Sequence, residues 1–230
     1  MKNIYRKLLE GLDHCYFDVI NSYTCDVDII DRVDTNVYYS DKYDTGATKL
    51  VLFPKAELNL DIVVKIPFTH SEDKEWGPDE DDNWKPGEYY PLCGAFYGDG
   101  WDYCKAETLY YEHAVEEGIE FAFLKTELIG YSDDFHPIYI QKKAEMLESR
   151  EESHKKDWTE CQLASNFCTS NHLDCFSDYW VADFLNCYGE EAYKKLHDFL
   201  ADFHIWDMHS GNLGYYNGKP VIVDYGGYHE

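Results

Sequence analysis

The residues best suited to chemistry lie near the end of the chain. Asp207, His209 and Asn212 fall within six residues of one another, and Asp224 comes twelve residues after Asn212. Two carboxylates and an amide supply the oxygen ligands that Mg²⁺ prefers, and a carboxylate can also accept a proton. The interval before Asp224 contains Asn217-Gly218, a strong hairpin signal. Because a hairpin returns the chain to its starting point, we expect Asp224 to lie close to Asn212.

This pattern resembles the protein-kinase-like superfamily, and most closely its aminoglycoside-phosphotransferase-type and short phage or bacterial members. Their catalytic loop reads Asp-x-His-x-x-Asn, as Asp207, His209 and Asn212 do here. A strand later in those proteins ends in an Asp-Phe-Gly-type motif, and Asp224-Tyr225-Gly226 stands at that place. The resemblance covers roughly residues 30–227 and implies phosphoryl transfer from Mg²⁺-ATP.

The resemblance also implies a role for each of these residues. Asp207 would orient the acceptor or act as the general base, and His209 would lie near the transferring phosphate. Asn212 and Asp224 would bind Mg²⁺, because phosphoryl transfer needs oxygen ligands that hold the metal on the phosphates. The acceptor itself stays open.

The upstream half of the chain offers further matches to the superfamily. Lys65, within the apolar run 61–66, resembles the strand lysine that contacts the α- and β-phosphates of ATP. Glu107 is the predicted helix partner of that lysine, favoured over Glu112 because its spacing indicates the inward face. Ala144 would belong to the hinge segment against which adenine packs.

The order of the predicted elements indicates an α+β fold, which the resemblance makes a bilobal kinase-like fold. We predict an N-lobe over residues 1–146, with an antiparallel sheet, one main helix and an acidic insertion at 71–88. A reduced, mostly helical C-lobe follows over 147–230 and carries the catalytic-type loop and the Asp-Tyr-Gly hairpin. The predicted elements are a helix over 1–20, strands at Lys49–Phe53 and Asp61–Pro67, a helix from Asp102 to Glu117, strand-like runs at Phe121–Tyr131 and Pro137–Lys143, helices from Glu148 to Phe203 with interruptions near Ser170-Asn171 and Gly189, and a final hairpin over Leu213–Tyr216 and Pro220–Asp224.

The charge of the chain restricts its partners. There are 45 acidic and 20 basic residues among 230, a formal net charge of −25. Such a chain repels phosphate, which argues against direct binding to nucleic acid or to anionic membranes. The sequence contains no transmembrane run or secretory signal, so we expect a cytoplasmic protein of a bacterial or host cell. Its eight cysteines contain no Cys-x-x-Cys pair, and the spacing of seven predicts one helix face for Cys161, Cys168 and Cys175.

Two departures from the superfamily keep alternatives open. Residues 30–64 contain a single glycine, Gly46, so no glycine-rich phosphate loop precedes Lys65. The sequence ends six residues after Asp224, so no activation segment is expected. A catalytically inactive member, or pseudokinase, that binds a protein partner is one alternative. Others are an AMP-transferring variant and an acidic mimic of DNA, such as a phage anti-defence factor. The oligomeric state stays open.

Overall fold

The computed structural model describes residues 2–10, 18–21, 27–30, 38–45, 49–67, 77–78, 84–85, 102–131 and 137–226. These residues form a mixed α and β structure that divides into two compact units. The first unit comprises the described residues up to Lys105 together with Glu127–Gln141. The second comprises Ala106–Thr126 and the described residues from Lys142 onward.

The described helices and strands follow one another along both units. The helices are α1 (Lys2–Glu10), α2 (Tyr103–Glu117), α3 (Leu147–Ser153), α4 (Trp158–Asn171), α5 (Asp178–Tyr188) and α6 (Glu190–Asp202). The strands are β1 (Asp18–Asn21), β2 (Val27–Ile30), β3 (Tyr39–Thr45), β4 (Lys49–Pro54), β5 (Ile62–Pro67), β6 (Gly77–Pro78), β7 (Trp84–Lys85), β8 (Thr126–Tyr131), β9 (Pro137–Lys142), β10 (Glu145–Met146), β11 (Leu213–Tyr216) and β12 (Lys219–Ile222).

The first unit is built on a five-stranded sheet with the order β3-β4-β5-β9-β8. Strand β4 pairs antiparallel with both β3 and β5. Every residue of the central strand β5 is buried, which suits its β-branched composition. Alternate β5 residues enter the core of this unit together with Leu8 of α1. The hydroxyl of Tyr39 donates a hydrogen bond to the Leu8 carbonyl at 2.8 Å and so ties α1 to the sheet.

The second unit has its own core between α4, α5 and α6. Trp180, Phe184 and Tyr193 are fully buried there, with ring centroids 5.1 Å apart for Trp180 and Phe184 and 5.6 Å apart for Phe184 and Tyr193. The indole N–H of Trp180 donates to the carbonyl of Gly214 at 3.2 Å. This bond connects the helices to the hairpin β11–β12, which carries the candidate site.

A largely buried ion pair also contacts this hairpin, at the residue next to Gly214. Lys156 Nζ lies 2.5 Å from Asp183 Oδ1, and the side chain of Lys156 is only 7% exposed. The hydroxyl of Tyr215 donates to Asp183 Oδ2 at 3.0 Å. Burial and the Asp183 carboxylate raise the pKa of Tyr215, so the phenol keeps its proton and this hydrogen bond throughout the neutral range.

Several predicted elements are confirmed. Strands β4 and β5 lie where the sequence placed them. Helix α2 begins after Asp102, whose Oδ1 accepts a hydrogen bond from the Lys105 N–H at 2.9 Å. The helix is followed by Gly118 at φ +69°, a left-handed conformation that glycine favours. Asn217 and Gly218 both have positive φ in the hairpin between β11 and β12, as a two-residue turn of this type requires.

Other predictions were wrong. The helix expected over residues 1–20 is described over Lys2–Glu10, and Asp18–Asn21, predicted to belong to it, form a strand. Phe121 lies in a short 3₁₀ turn, and strand β8 begins only at Thr126. Cys175 does not share a helix face with Cys161 and Cys168, because α4 ends at Asn171 and His172 turns left-handed at φ 57°.

The acidic insertion predicted at 71–88 lies mostly outside the described residues. Its described part is an antiparallel pair formed by β6 and β7, with Gly77 opposite Lys85 and Pro78 opposite Trp84.

Candidate functional site

Asp207 and Asn212 contact each other at the start of the hairpin in the second unit. The amide nitrogen of Asn212 donates to the Asp207 carbonyl at 2.6 Å and to Asp207 Oδ2 at 3.2 Å. Asn212 is 7% exposed, whereas the Asp207 side chain is 30% exposed. Because the amide nitrogen is committed to Asp207, the amide oxygen is directed away from it. An acid that solvent can reach and an oxygen ligand therefore lie side by side.

His209 closes the loop between these two residues. Its Nδ1 accepts a hydrogen bond from the Gly211 N–H at 3.0 Å, so the neutral ring carries its proton on Nε2. That Nε2 lies 3.6 Å from Asp207 Oδ1. A Cβ at Gly211 would lie 2.8 Å from His209 Cε1, so a larger residue there would displace the imidazole from this position. The imidazole is 59% exposed and can meet a ligand.

The hairpin returns Asp224 to this loop, as the sequence predicted for its backbone. Strand β11 pairs with β12 from Leu213 opposite Ile222 onward. The N–H of Val223 donates to the Asn212 carbonyl at 2.9 Å, so Asp224 directly follows a residue bonded to Asn212.

Tyr225 anchors the segment that carries Asp224. Its ring is 1% exposed and lies 4.9 Å from the ring of Phe123, centroid to centroid. Its hydroxyl donates to the Leu124 carbonyl at 2.7 Å. Burial raises the pKa of Tyr225 well above its usual range, and the nearby Glu107 carboxylate adds to this effect. The phenol therefore stays protonated and keeps Asp224 at a fixed place.

Glu107 is buried in α2, whereas the alternative candidate Glu112 is exposed. The carboxylate of Glu107 accepts a hydrogen bond from Thr126 Oγ1 at 2.5 Å. It also lies close enough to Tyr225 to influence that phenol. Within the second unit, Glu107 is therefore joined to the Asp-Tyr-Gly segment through Thr126 and Tyr225.

Ala144 belongs to a small apolar cluster beside the hairpin. Leu124, Val221 and Val223 form its buried part, and Ala144 and Met146 pack against it. Strand β10 pairs with β11, so the predicted hinge segment runs alongside the residues that follow Asn212.

Gly214 is the point of closest approach between these strands. A Cβ there would lie 2.9 Å from the Glu145 carbonyl oxygen, 3.2 Å from the Ala144 Cβ and 3.3 Å from Val223 Cγ1. We expect Gly214→Val to lower the free energy of unfolding by about 1–3 kcal/mol, the usual cost of overpacking. Urea unfolding followed by circular dichroism measures this change. The unfolding midpoint of Gly214→Ala should lie between those of the unaltered chain and Gly214→Val. An unchanged midpoint for both variants would contradict the packing described.

Lys65 lies in the first unit, on β5 opposite Val51 of β4. It is 4% exposed, and it lies on the strand face opposite to that of Ile62, Val64 and Ile66, which enter the core of the first unit. Asp207, His209, Asn212, Asp224, Glu107 and Ala144 all belong to the second unit. The structure thus brings Asp207, His209 and Asn212 together, with the Asp224 backbone beside them.

No group of three or more His, Cys, Asp or Glu side chains within the described ranges has an arrangement that could hold a metal ion. The predicted ligands are one amide, Asn212, and one carboxylate, Asp224. Mg²⁺ is commonly held by one or two carboxylates together with water and substrate phosphates, so a metal held by Asn212 and Asp224 would need further oxygens from water and phosphate.

Sequence reasoning missed three residues that shape the site. Thr126 binds Glu107, Gly214 allows β10 to approach β11, and Trp180 donates to Gly214. A glycine two residues after Asn212 was a readable signal for close backbone packing. The other two contacts join residues far apart in the sequence, and no local pattern indicates them.

Comparisons with protein-family models, curated proteins and solved structures found no significant match to this chain. No helix within the described parts of the chain combines the length and the apolar character needed to cross a bilayer. Any function must therefore be argued from the site itself.

Proposed function

We propose that this chain is a small kinase-like phosphotransferase that uses Mg²⁺-ATP, built on a bilobal kinase-like fold. One observation carries the proposal: Asn212 bonds Asp207 through its amide nitrogen and accepts the Val223 N–H through its backbone carbonyl. An acid, an amide oxygen and the segment of a second acid therefore meet at one place, as metal-assisted phosphoryl transfer requires.

Each residue has a role in this proposal. Asn212 and Asp224 hold the Mg²⁺ that arrives with ATP, and Asp207 accepts the proton of the acceptor hydroxyl or orients that hydroxyl. His209, with its proton on Nε2, donates to a phosphate oxygen. The resemblance assigns Lys65 to the ATP phosphates, Glu107 to the positioning of that lysine, and Ala144 to the surface that meets adenine.

The same proposal includes a cytoplasmic location. The five cysteines among the described residues are free thiols, as expected in a reducing compartment. ATP is anionic and the chain carries a net charge of −25, so the long-range field does not attract the nucleotide. Mg²⁺ must therefore bring the ligand to the site, and affinity for ATP should depend on Mg²⁺.

Calorimetric titration tests the proposal. We expect the full chain to bind ATP only when Mg²⁺ is present, and Asp224→Ala to weaken that binding by at least about tenfold, the loss of one charged metal ligand. Asp198→Ala, which removes an exposed acid of α6, is the matched control and should leave the affinity unchanged.

Absence of Mg²⁺-ATP binding by the unaltered chain would overturn the proposal. The inactive, partner-binding alternative would then be favoured, and it predicts that Asp207→Ala leaves biological activity intact. Equal weakening by Asp224→Ala and Asp198→Ala would also contradict the proposal, because it would indicate a general effect of charge.

A further inference from the structure

A cleft lies in the second unit, next to the segment that carries Asp207. It is a cleft of about 340 Å³, within the range of small-molecule pockets. Trp206 and Met208 line the cleft, whereas Asp207 between them does not. The other walls come from the loop before α5 and from α6, and they include Asp174, Phe176, His197 and Leu200.

The apolar part of this cleft suits an aromatic ring. Leu200 and Ile205, which are 2% and 1% exposed, are buried apolar residues that line the cleft. The indole of Trp206 is 61% exposed, although it is a large apolar group. An exposed indole beside a cleft offers a face on which a flat ring can stack, and stacking would remove apolar area from water.

The polar part of the cleft suits a cation. The Asp174 side chain is 70% exposed, and its Oδ2 lies 3.3 Å from His197 Nε2. The hydroxyl of Tyr193 donates to the Asp174 backbone carbonyl at 2.7 Å, which fixes this residue at the cleft. The described residues that line the cleft include no lysine or arginine, and the lining histidine, His197, is itself held against the Asp174 carboxylate.

We propose that this cleft binds a small organic cation in which an ammonium group is joined to an aromatic ring. The ring lies against Trp206, and the ammonium group pairs with the Asp174 carboxylate. The exposed carboxylate favours a cation, and the exposed indole, whose described ring contact is a tilted one with His204 at 6.1 Å between centroids, favours an aromatic ring. The site uses none of the residues assigned to Mg²⁺-ATP, so it stands independently of the proposed phosphotransferase function.

Binding at this cleft would also restrain the loop beside it. The N–H of Met208 donates to the Trp206 carbonyl at 2.8 Å, which forms a tight turn centred on Asp207. A ligand that contacts both Trp206 and Met208 holds the two ends of that turn. Amide hydrogen exchange at Met208 should therefore slow when the cleft is occupied.

The test compares 2-phenylethylamine, which is an ammonium ion at neutral pH, with 2-phenylethanol, its neutral counterpart of the same shape. Titration of the full chain followed by proton NMR should show binding of both, with the amine about threefold to fivefold tighter, the range expected for an exposed ion pair. Asp174→Asn should abolish this difference, whereas Asp198→Asn, an exposed change outside the cleft lining, should preserve it.

Three results would overturn the inference. The first is that neither probe binds at millimolar concentration. The second is that both probes bind equally well to the unaltered chain. The third is that Asp174→Asn and Asp198→Asn reduce the preference to the same extent, because a general attraction of cations to this acidic chain would then explain it. Slower exchange at Met208 with the amine, retained in Asp198→Asn and reduced in Asp174→Asn to the level seen with 2-phenylethanol, would support the site.

Discussion

Asp207→Asn should reduce the rate of phosphoryl transfer from ATP by about 10²- to 10⁴-fold, the usual contribution of a general base. The affinity for Mg²⁺-ATP should change by less than about twofold, because the proposed metal ligands are Asn212 and Asp224, not Asp207. An asparagine side chain has nearly the shape of aspartate and can still accept the hydrogen bond from Asn212 Nδ2. The variant therefore removes the proton acceptor without removing the contact that orders the loop.

Single-turnover hydrolysis of radiolabelled ATP measures this effect, with water in place of the unknown acceptor. Asp198→Asn, on the exposed side of α6, is the matched control and should keep the rate of the unaltered chain. A measurable rate that Asp207→Asn leaves unchanged would remove Asp207 from the mechanism. Loss of nucleotide binding together with the rate would instead show that Asp207 acts through the fold of the loop.

Trp180→Ala should have the largest effect on stability, lowering the free energy of unfolding by about 3–5 kcal/mol. The side chain is fully buried in the core of the second unit, and its removal leaves a cavity there. The change also removes the donor to the Gly214 carbonyl. Since small domains are stable by only about 5–15 kcal/mol, this loss is a large share of the total stability.

Circular dichroism during urea unfolding measures the change for Trp180→Ala. Trp158→Ala is the matched control, because that indole is 72% exposed, and its effect should stay within about 0.5 kcal/mol. The loss of unfolding free energy in Trp180→Phe should fall between those of Trp180→Ala and Trp158→Ala. Phenylalanine retains most of the apolar volume but loses the hydrogen bond to Gly214. Equal midpoints for Trp180→Ala and Trp158→Ala would contradict the assignment of Trp180 to the core.

The parts of the fold that the sequence predicted correctly are governed by local rules. Asp102 and Gly118 mark the two ends of α2, because each satisfies backbone groups within a few residues. Asn217-Gly218 predicts its hairpin because few other residue pairs tolerate two positive φ values. The proximity of Asp207, His209 and Asn212 could also be predicted from the sequence, because the contacts of this loop join residues two to five positions apart.

The parts that the sequence did not predict depend on residues far apart in the chain. Thr126 donates a hydrogen bond to Glu107, 19 positions away in the sequence, and Trp180 donates one to Gly214, 34 positions away. These contacts are fixed by how helices pack on the hairpin, which no periodicity encodes. The predicted interruption near Ser170-Asn171 matches the end of α4, but the helix face predicted for Cys161, Cys168 and Cys175 was wrong because it extended across that end. His172, which is not glycine, adopts the left-handed conformation there and so breaks the spacing of seven.

Paramagnetic broadening by Mn²⁺ tests the central claim most directly, because Mn²⁺ replaces Mg²⁺ and weakens the NMR signals of nearby amides. With Mn²⁺-ATP we predict selective loss of the amide signals of Asn212, Leu213, Asp224 and Tyr225 in the unaltered chain, and their recovery in Asp224→Ala. Mn²⁺ without ATP should produce no selective loss at these amides. Broadening spread over the acidic surface, with or without ATP and unchanged in Asp224→Ala, would contradict the claim that Asn212 and Asp224 hold a nucleotide-bound metal.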